Sequence, residues 1–222
     1  EFARYLASWT DMRARVDRLA ARDTTVAYWK QLLKSTDANA TQRFNALVAD
    51  SATVSAASTS NVRDVQMGDN LLWIARDKFP GRKIIVWAAT FHIMRNPELI
   101  NTDVVLPLLY KDLTTMGHVV SGALRDDVYS IGFIASEGRA GPWQGQPRPI
   151  PAPPSESLEA MFASTQHDNA FVDLRGLSGS GTWLQQQIIS GPLGYAALTA
   201  NWTRVFDGMI YTRRMTPSTP AA

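Results

Sequence analysis

Three groups in this chain could do chemistry because each follows a run of β-forming residues: His92 after "KIIVWAAT", Glu137 after "YSIGFIAS" and Arg175 after "AFVDL". In open parallel sheets, ligands bind beyond the carboxyl ends of the strands, where the following loops meet. Three such strands would bring a histidine, a carboxylate and a guanidinium to one edge. That set combines a proton-transfer pair with an anion-stabilising group, the parts needed to hydrolyse an ester-like bond. Arg95 and Asn96 trail His92, and Asp173 stands inside the strand before Arg175. Plainer readings stay open beside this one. A strand-end histidine can be a hydrogen-bonded structural residue, Glu137 a turn carboxylate beside Gly138, and Arg175 a partner of Asp173.

A second set lies on the helix-patterned "RDVQMGDNLLWIA". Arg63, Met67, Asn70 and Ile74 fall at steps of four, three and four, which places them on one stripe. Two polar groups on an apolar stripe require partners, because an unpaired buried polar group costs about 1–3 kcal/mol. Arg63 is therefore expected to point inward, toward the strand that carries His92 and toward an anionic intermediate. Asp64, near the expected helix start, is suited to the helix dipole. His118, in "TTMGHVV", could reach a cleft, whereas His167 lies in a polar turn and is expected to be solvated.

The elements that must position these groups follow from periodicity. Residues 1–61 read as a helical portion, with apolar faces at Phe2–Leu19, Val26–Leu33 and Phe44–Val48, ending in the small, polar run "DSATVSAASTSN". A helix over 62–79 stops at Pro80-Gly81. Helix and strand patterns then alternate: strand "KIIVWAAT", a long helical segment interrupted at Pro107, strand "VYSIGFIAS", helix "ESLEAMFAS", strand "AFVDLR" and a last strand "FDGMIYTRR". Short apolar runs separated by helices predict an α/β fold with a largely parallel sheet flanked by helices, and residues 62–217 form this portion of one domain. The prolines between Pro142 and Pro154 predict either a stiffened surface loop or a flap bordering a pocket.

Composition bounds the partners. At 222 residues and 45% hydrophobic the chain can bury a core, and 22 basic against 20 acidic residues leave no polyanion-binding footprint. Nucleic acid and membrane partners are not expected: no apolar run is long enough to span a bilayer and no leader opens the chain. Zero cysteines exclude disulfides and a thiol nucleophile, and leave the compartment, cytoplasmic or exported, open. There is no glycine-rich phosphate loop, no G-x-S-x-G elbow and no H-x-x-x-H pair, so no cofactor or metal is implied. A metal held by His92 and an acidic residue stands as a third, weaker route to hydrolysis. The chain opens on Glu1-Phe2 inside a helical pattern, which leads one to expect sequence upstream.

"RDVQMGDNLLWIA", "PGRKIIVWAATFHI", "YSIGFIASEG", "SLEAMF", "AFVDLRG" and "GYAALTANWTRVFDGMIYTRRMTPS", in this order from Arg63 to Pro217, resemble the C-terminal part of the erythromycin esterase family of bacterial hydrolases. The resemblance implies cleavage of a small-molecule ester or lactone by histidine-activated water. It also implies that the general base and its partner carboxylate belong to an N-terminal segment with no match here, so that the chain is a partial domain. The family's A-H-N-x-H pattern stands here as Ala88-Ala89-Thr90-Phe91-His92: the second histidine is kept as His92, while Ala89 and Thr90 replace the first histidine and the asparagine. Arg63 and Asp64 match the family's R-D pair at the border of the cleft. On this reading His92, Arg63 and Glu137 are catalytic, and Asp64, Asn70, Arg95, His118 and Arg175 bind substrate. The replacements at Ala89 and Thr90 motivate the alternative of a non-catalytic binding or scaffold protein.

Overall fold

A computed structural model describes residues 2–18, 24–48, 56–101, 110–141 and 146–217, which fall into two compact units, Glu1–Ile84 and Ile85–Ala222. The first unit is helical: α1 (Phe2–Arg18), α2 (Thr24–Val48) and α3 (Ala56–Trp73), which runs into a wider turn at Ile74–Lys78. The two faces expected within residues 26–48 belong to one uninterrupted helix, because no glycine or proline breaks the stretch between them. Stacking of Tyr5 on Trp9, and the buried Trp9 and Val26, mark the apolar seam of this unit.

In α3 the buried face carries Asp64 and Gly68, one residue round from the expected stripe. Arg63 is accordingly exposed, not inward, and needs no designated partner. Asp64 is 2% exposed and lies in mid-helix, because α3 begins at Ala56; the helix-dipole explanation for it therefore fails. Asn70 does have its partners: its amide donates to Ser35 Oγ (2.8 Å) and its carbonyl oxygen accepts from Gln66 Nε2 (3.0 Å).

The second unit is α/β. It contains α4 (Thr90–Ile93), α5 (Met116–Leu124), β1 (Ile131–Ala140), β2 (Arg148–Pro149), α6 (Leu158–Ser164), β3 (Asn169–Asp173), β4 (Ile188–Ser190), β5 (Leu198–Ala200) and β6 (Gly208–Met215). The main sheet has the order β2-β1-β6-β3, with β1 and β6 parallel at its centre and β2 and β3 antiparallel to their neighbours; β4 and β5 form a separate hairpin-like pair. The expected strands over 128–136, 170–175 and 206–214 and the helix at 156–164 are present in this unit. Phe206, Tyr211, Ile134, Met209 and Trp202 fill its core, and Phe162 of α6 stacks on Tyr211. Pro107 lies outside the described residues.

The segment "KIIVWAAT" departs from expectation. Residues 83–89 form no helix or strand and pair with no strand among the described residues, and Thr90 already belongs to α4. Ile85 and Trp87 are 94% and 88% exposed, although Trp87 meets Phe133 at 5.7 Å between ring centroids. An apolar run on both faces suits a strand covered on both sides, but whether a strand acquires neighbours is a non-local matter that its own residues do not encode.

Candidate functional site

The site is organised by Asp207, a residue 2% exposed in the turn that enters β6. Its Oδ1 accepts from Arg175 Nε (2.7 Å) and pairs with Arg95 Nη1 (2.9 Å), while its Oδ2 accepts from the Ser130 backbone N–H (2.7 Å). Two guanidinium groups thus converge on one buried carboxylate, the arrangement that compensates burial of a charge. Arg175 also donates through Nη2 to the Val128 carbonyl, and lies over the Tyr129 ring at 4.8 Å. Arg95 Nη2 donates to the Thr203 carbonyl (3.4 Å), and its Nε is buried with no acceptor among the described residues.

His92 stands on α4, at this same end of the sheet. Three hydrogen bonds hold the turn: Ser130 Oγ to the Ile93 carbonyl (2.7 Å), Thr115 Oγ1 to the Met94 carbonyl (2.6 Å) and Arg95 N–H to the Val205 carbonyl (3.0 Å). The imidazole is half-buried and meets the Phe91 ring edge-on. Close seating of α4 on α5 depends on Gly117, since a side chain there would run into the Ile93 and Met94 carbonyls.

Glu137 is not part of this cluster. Register places Ile131 beside Gly208 and Glu137 beside Arg214, so Glu137 lies about 20 Å along the strand from the Asp207 end, at 3.3 Å per residue. It is exposed and paired with Arg214 (3.1 Å). The expectation of one shared edge fails because β3 runs antiparallel to β6 while β1 runs parallel to it. The ends of β1 and β3 therefore point to opposite edges. Of the residues expected to act, Arg95 and Arg175 are brought together, with His92 on the adjoining turn. His118 is exposed on the first turn of α5, where its N–H caps onto Thr115 Oγ1 (3.1 Å), and His167 is exposed as expected. In the helical unit, Arg63 lines a surface hollow with Arg43, Asn39 and Asn70. Among the described residues, no three His, Cys, Asp or Glu side chains lie together as a metal site, and no helix is long and apolar enough to cross a membrane.

Asp207 and Tyr129 were not foreseen. Asp207 carried one signal, a lone carboxylate between Phe206 and Gly208 in an otherwise apolar approach to a strand. Tyr129 OH donates to Asp173 Oδ1 (2.7 Å) and lies 3.0 Å from the Asp207 carbonyl. Desolvation, and then the Asp173 hydrogen bond and charge, push the Tyr129 phenol up to about 12 from 10.0. The Tyr129 hydrogen bond, followed by the Arg175 N–H, holds Asp173 below the usual carboxylate range. A raised tyrosine value means the fold favours the protonated phenol. Its contribution to stability is complete below pH 10 and is lost as pH rises through about 12. Burial also raises Tyr5, Tyr110 and Tyr195, and absorbance titration of phenolate is expected to show a component near 12 that Tyr129→Phe removes, together with a fall in stability across the same window.

The erythromycin esterase family model matches residues 3–215. The sequence is 28% identical over 162 residues to "Putative hydrolase YbfO" of Bacillus subtilis (strain 168), taking in 71% of this chain and 35% of that protein. Three solved structures share the fold. A Bacillus cereus protein superposes with a TM-score of 0.70 at 18% identity, over 96% of this chain and 51% of its own. A succinoglycan biosynthesis protein gives 0.66 at 17%, over 94% and 50%. A mutant of erythromycin esterase EreC in its open conformation gives 0.67 at 14%, over 94% and 52%. The chain thus spans about a third of the curated relative and half of each solved structure. These structures support the α/β class through fold alone, and the hydrolase relative supports a hydrolase reading. By the match over almost its whole length, the chain belongs to the erythromycin esterase family.

Proposed function

We propose that this chain takes part in water-activating cleavage of a carboxylic ester or lactone in a small molecule, with His92 as its proton-transfer group. One observation carries the reading: His92 rides on a turn bonded to the sheet end and to α5 at three points, beside two arginines held by Asp207. The three bonds fix the backbone that carries His92, which suits an acid/base group, and the two arginines outnumber the one Asp207 charge they share, which favours a developing oxyanion nearby. Arg95 and Arg175 act through their field and by holding the turn, since both guanidinium groups are already committed to Asp207. Glu137 has no part, because it faces the far end of the sheet. Within the helical unit, Arg63 and Arg43 are both exposed and line one hollow, where either guanidinium can meet a ligand, and in the α/β unit His118 is exposed. Asp64 and Asn70 support substrate binding by shaping their helix.

The chain spans half the length of the solved structures it matches, so the test uses two proteins. One is the 222-residue chain; the other is a polypeptide carrying the rest of an erythromycin esterase domain in front of it. Nitrophenyl esters and simple lactones are expected to turn over chiefly with the longer protein. His92→Ala is expected to lower kcat by about 10²–10⁴, the usual contribution of a general acid or base. An unchanged rate would remove His92 from the mechanism. Ala89 and Thr90, in place of the family's histidine and asparagine, favour a second reading, a binding protein without chemistry. Saturable ester binding with no turnover in the longer protein would select it.

A further inference from the structure

A second site lies on α6 and the β4–β5 pair, and it does not rest on the hydrolase reading. A cavity of about 250 Å³ is walled by Ile150 through Pro154 on one side and by Ile189, Tyr195, Ala196 and Ala197 on the other. Glu159 lines it and is only 3% exposed. Its Oε1 accepts from Ser190 Oγ (2.8 Å) and from the Gly191 N–H (2.7 Å). Among the described residues no protein donor reaches Oε2, and no arginine, lysine or histidine pairs with this carboxylate.

Pro151, Pro153 and Pro154 have no N–H, and Ala135, Ile150, Ile189, Ala196 and Ala197 offer no side-chain donor, so most of the lining is apolar, with the Ser157 and Tyr195 hydroxyls as its other polar side chains. Oε2 opens onto the cavity, so a cation entering there meets a carboxylate that no arginine, lysine or histidine among the described residues neutralises. The surroundings are held in place: the Glu159 carbonyl accepts from Ser136 Oγ (3.0 Å), Ser136 is bonded to Tyr211 OH (2.8 Å), and Ser157 caps α6 through the Ala160 N–H (3.2 Å).

We propose that this proline-walled cavity binds a small aliphatic ammonium group, with Glu159 as its counter-ion and the proline and alanine side chains enclosing its alkyl part. The charge follows from the uncompensated carboxylate, and the apolar part from the lining. The volume, just under the roughly 300–1,000 Å³ of sites for whole drug-sized ligands, sets the size at a head group of a few heavy atoms.

The probe pair is isobutylammonium chloride against isobutanol, equal in shape and different in charge, followed through the backbone amide resonances of Gly191 and Ala160 in the ¹⁵N-labelled full chain. Isobutylammonium is expected to give saturable shifts at millimolar concentration, and isobutanol none. Glu159→Gln is expected to weaken the ammonium at least about tenfold, the size of effect for one lost charge-assisted hydrogen bond. Should that variant not fold, Ala197→Leu decides, because Ala197 is an exposed lining residue and a leucine there narrows the cavity while leaving the Glu159 charge in place. It too is expected to weaken binding about tenfold or more, at an unchanged melting temperature. Equal binding of the alcohol, retention of ammonium binding in a folded variant of either kind, or the absence of any saturable shift would each overturn the site.

Discussion

Replacing Asp207 by alanine is expected to destabilise the α/β unit by about 3 kcal/mol, the lower end of what breaking a buried ion pair costs. The lower end applies because the Arg175 side chain is 36% exposed, so water recovers part of its solvation. The loss has three sources on one side chain: the countercharge of Arg95, that of Arg175, and the acceptor of the Ser130 N–H. At roughly 2–4 °C per kcal/mol for a chain of this size, the melting temperature is expected to fall by about 6–12 °C. Asp207→Asn keeps the shape and an acceptor for Ser130 but removes the charge, so it is expected to fall between wild type and alanine. Thermal and urea unfolding followed by circular dichroism measure both. A melting temperature unchanged by Asp207→Ala would mean that the paired guanidinium groups are solvated in the native state and hold nothing.

Gly117→Ala is expected to cost about as much, roughly 3 kcal/mol, by a different mechanism. Helix propensity alone predicts the opposite sign, since alanine is better than glycine in a helix interior by about 1 kcal/mol. Packing decides, because the added Cβ would meet the Ile93 carbonyl and would sit 2.6 Å from the Met94 oxygen. Backbone cannot change rotamer to make room, so α4 must move away from α5. That movement carries His92, and displacement of an acid/base group by about 1 Å can cost about a hundredfold in rate. Two measurements separate the effects: urea midpoints report the strain, and ester turnover of the longer polypeptide reports the displaced imidazole. A stabilised variant with full activity would show that α4 is not seated against Gly117 and would weaken the case for a preorganised His92.

Much of the architecture was legible from pattern. The β1, β3 and β6 runs are short, apolar and rich in β-branched and aromatic residues, and "ESLEAMFAS" has a capping serine before an apolar helical face. Each of these depends on neighbours two to four residues away. The proline-rich stretch was open between plain loop and pocket border; residues 150–154 turn out to line a cavity. Nothing local marks Glu159, since a buried glutamate on a short helix and a solvated one look alike in sequence. Its burial is imposed by Ser190 and Gly191, about thirty residues later.

By itself the sequence determined the family, the element types, and that His92, Arg95 and Arg175 follow apolar segments, since periodicity and motif order are properties of the chain read along its length. Tertiary structure alone decided which of those groups meet. Strand direction is settled by pairing between distant segments: β3 antiparallel to β6 sends Arg175 to Asp207, while β1 parallel to β6 carries Glu137 to the opposite edge. The same holds for residues 85–88, apolar enough for a sheet interior yet paired with no strand among the described residues, because a strand's hydrogen bonds belong to its neighbours as much as to itself.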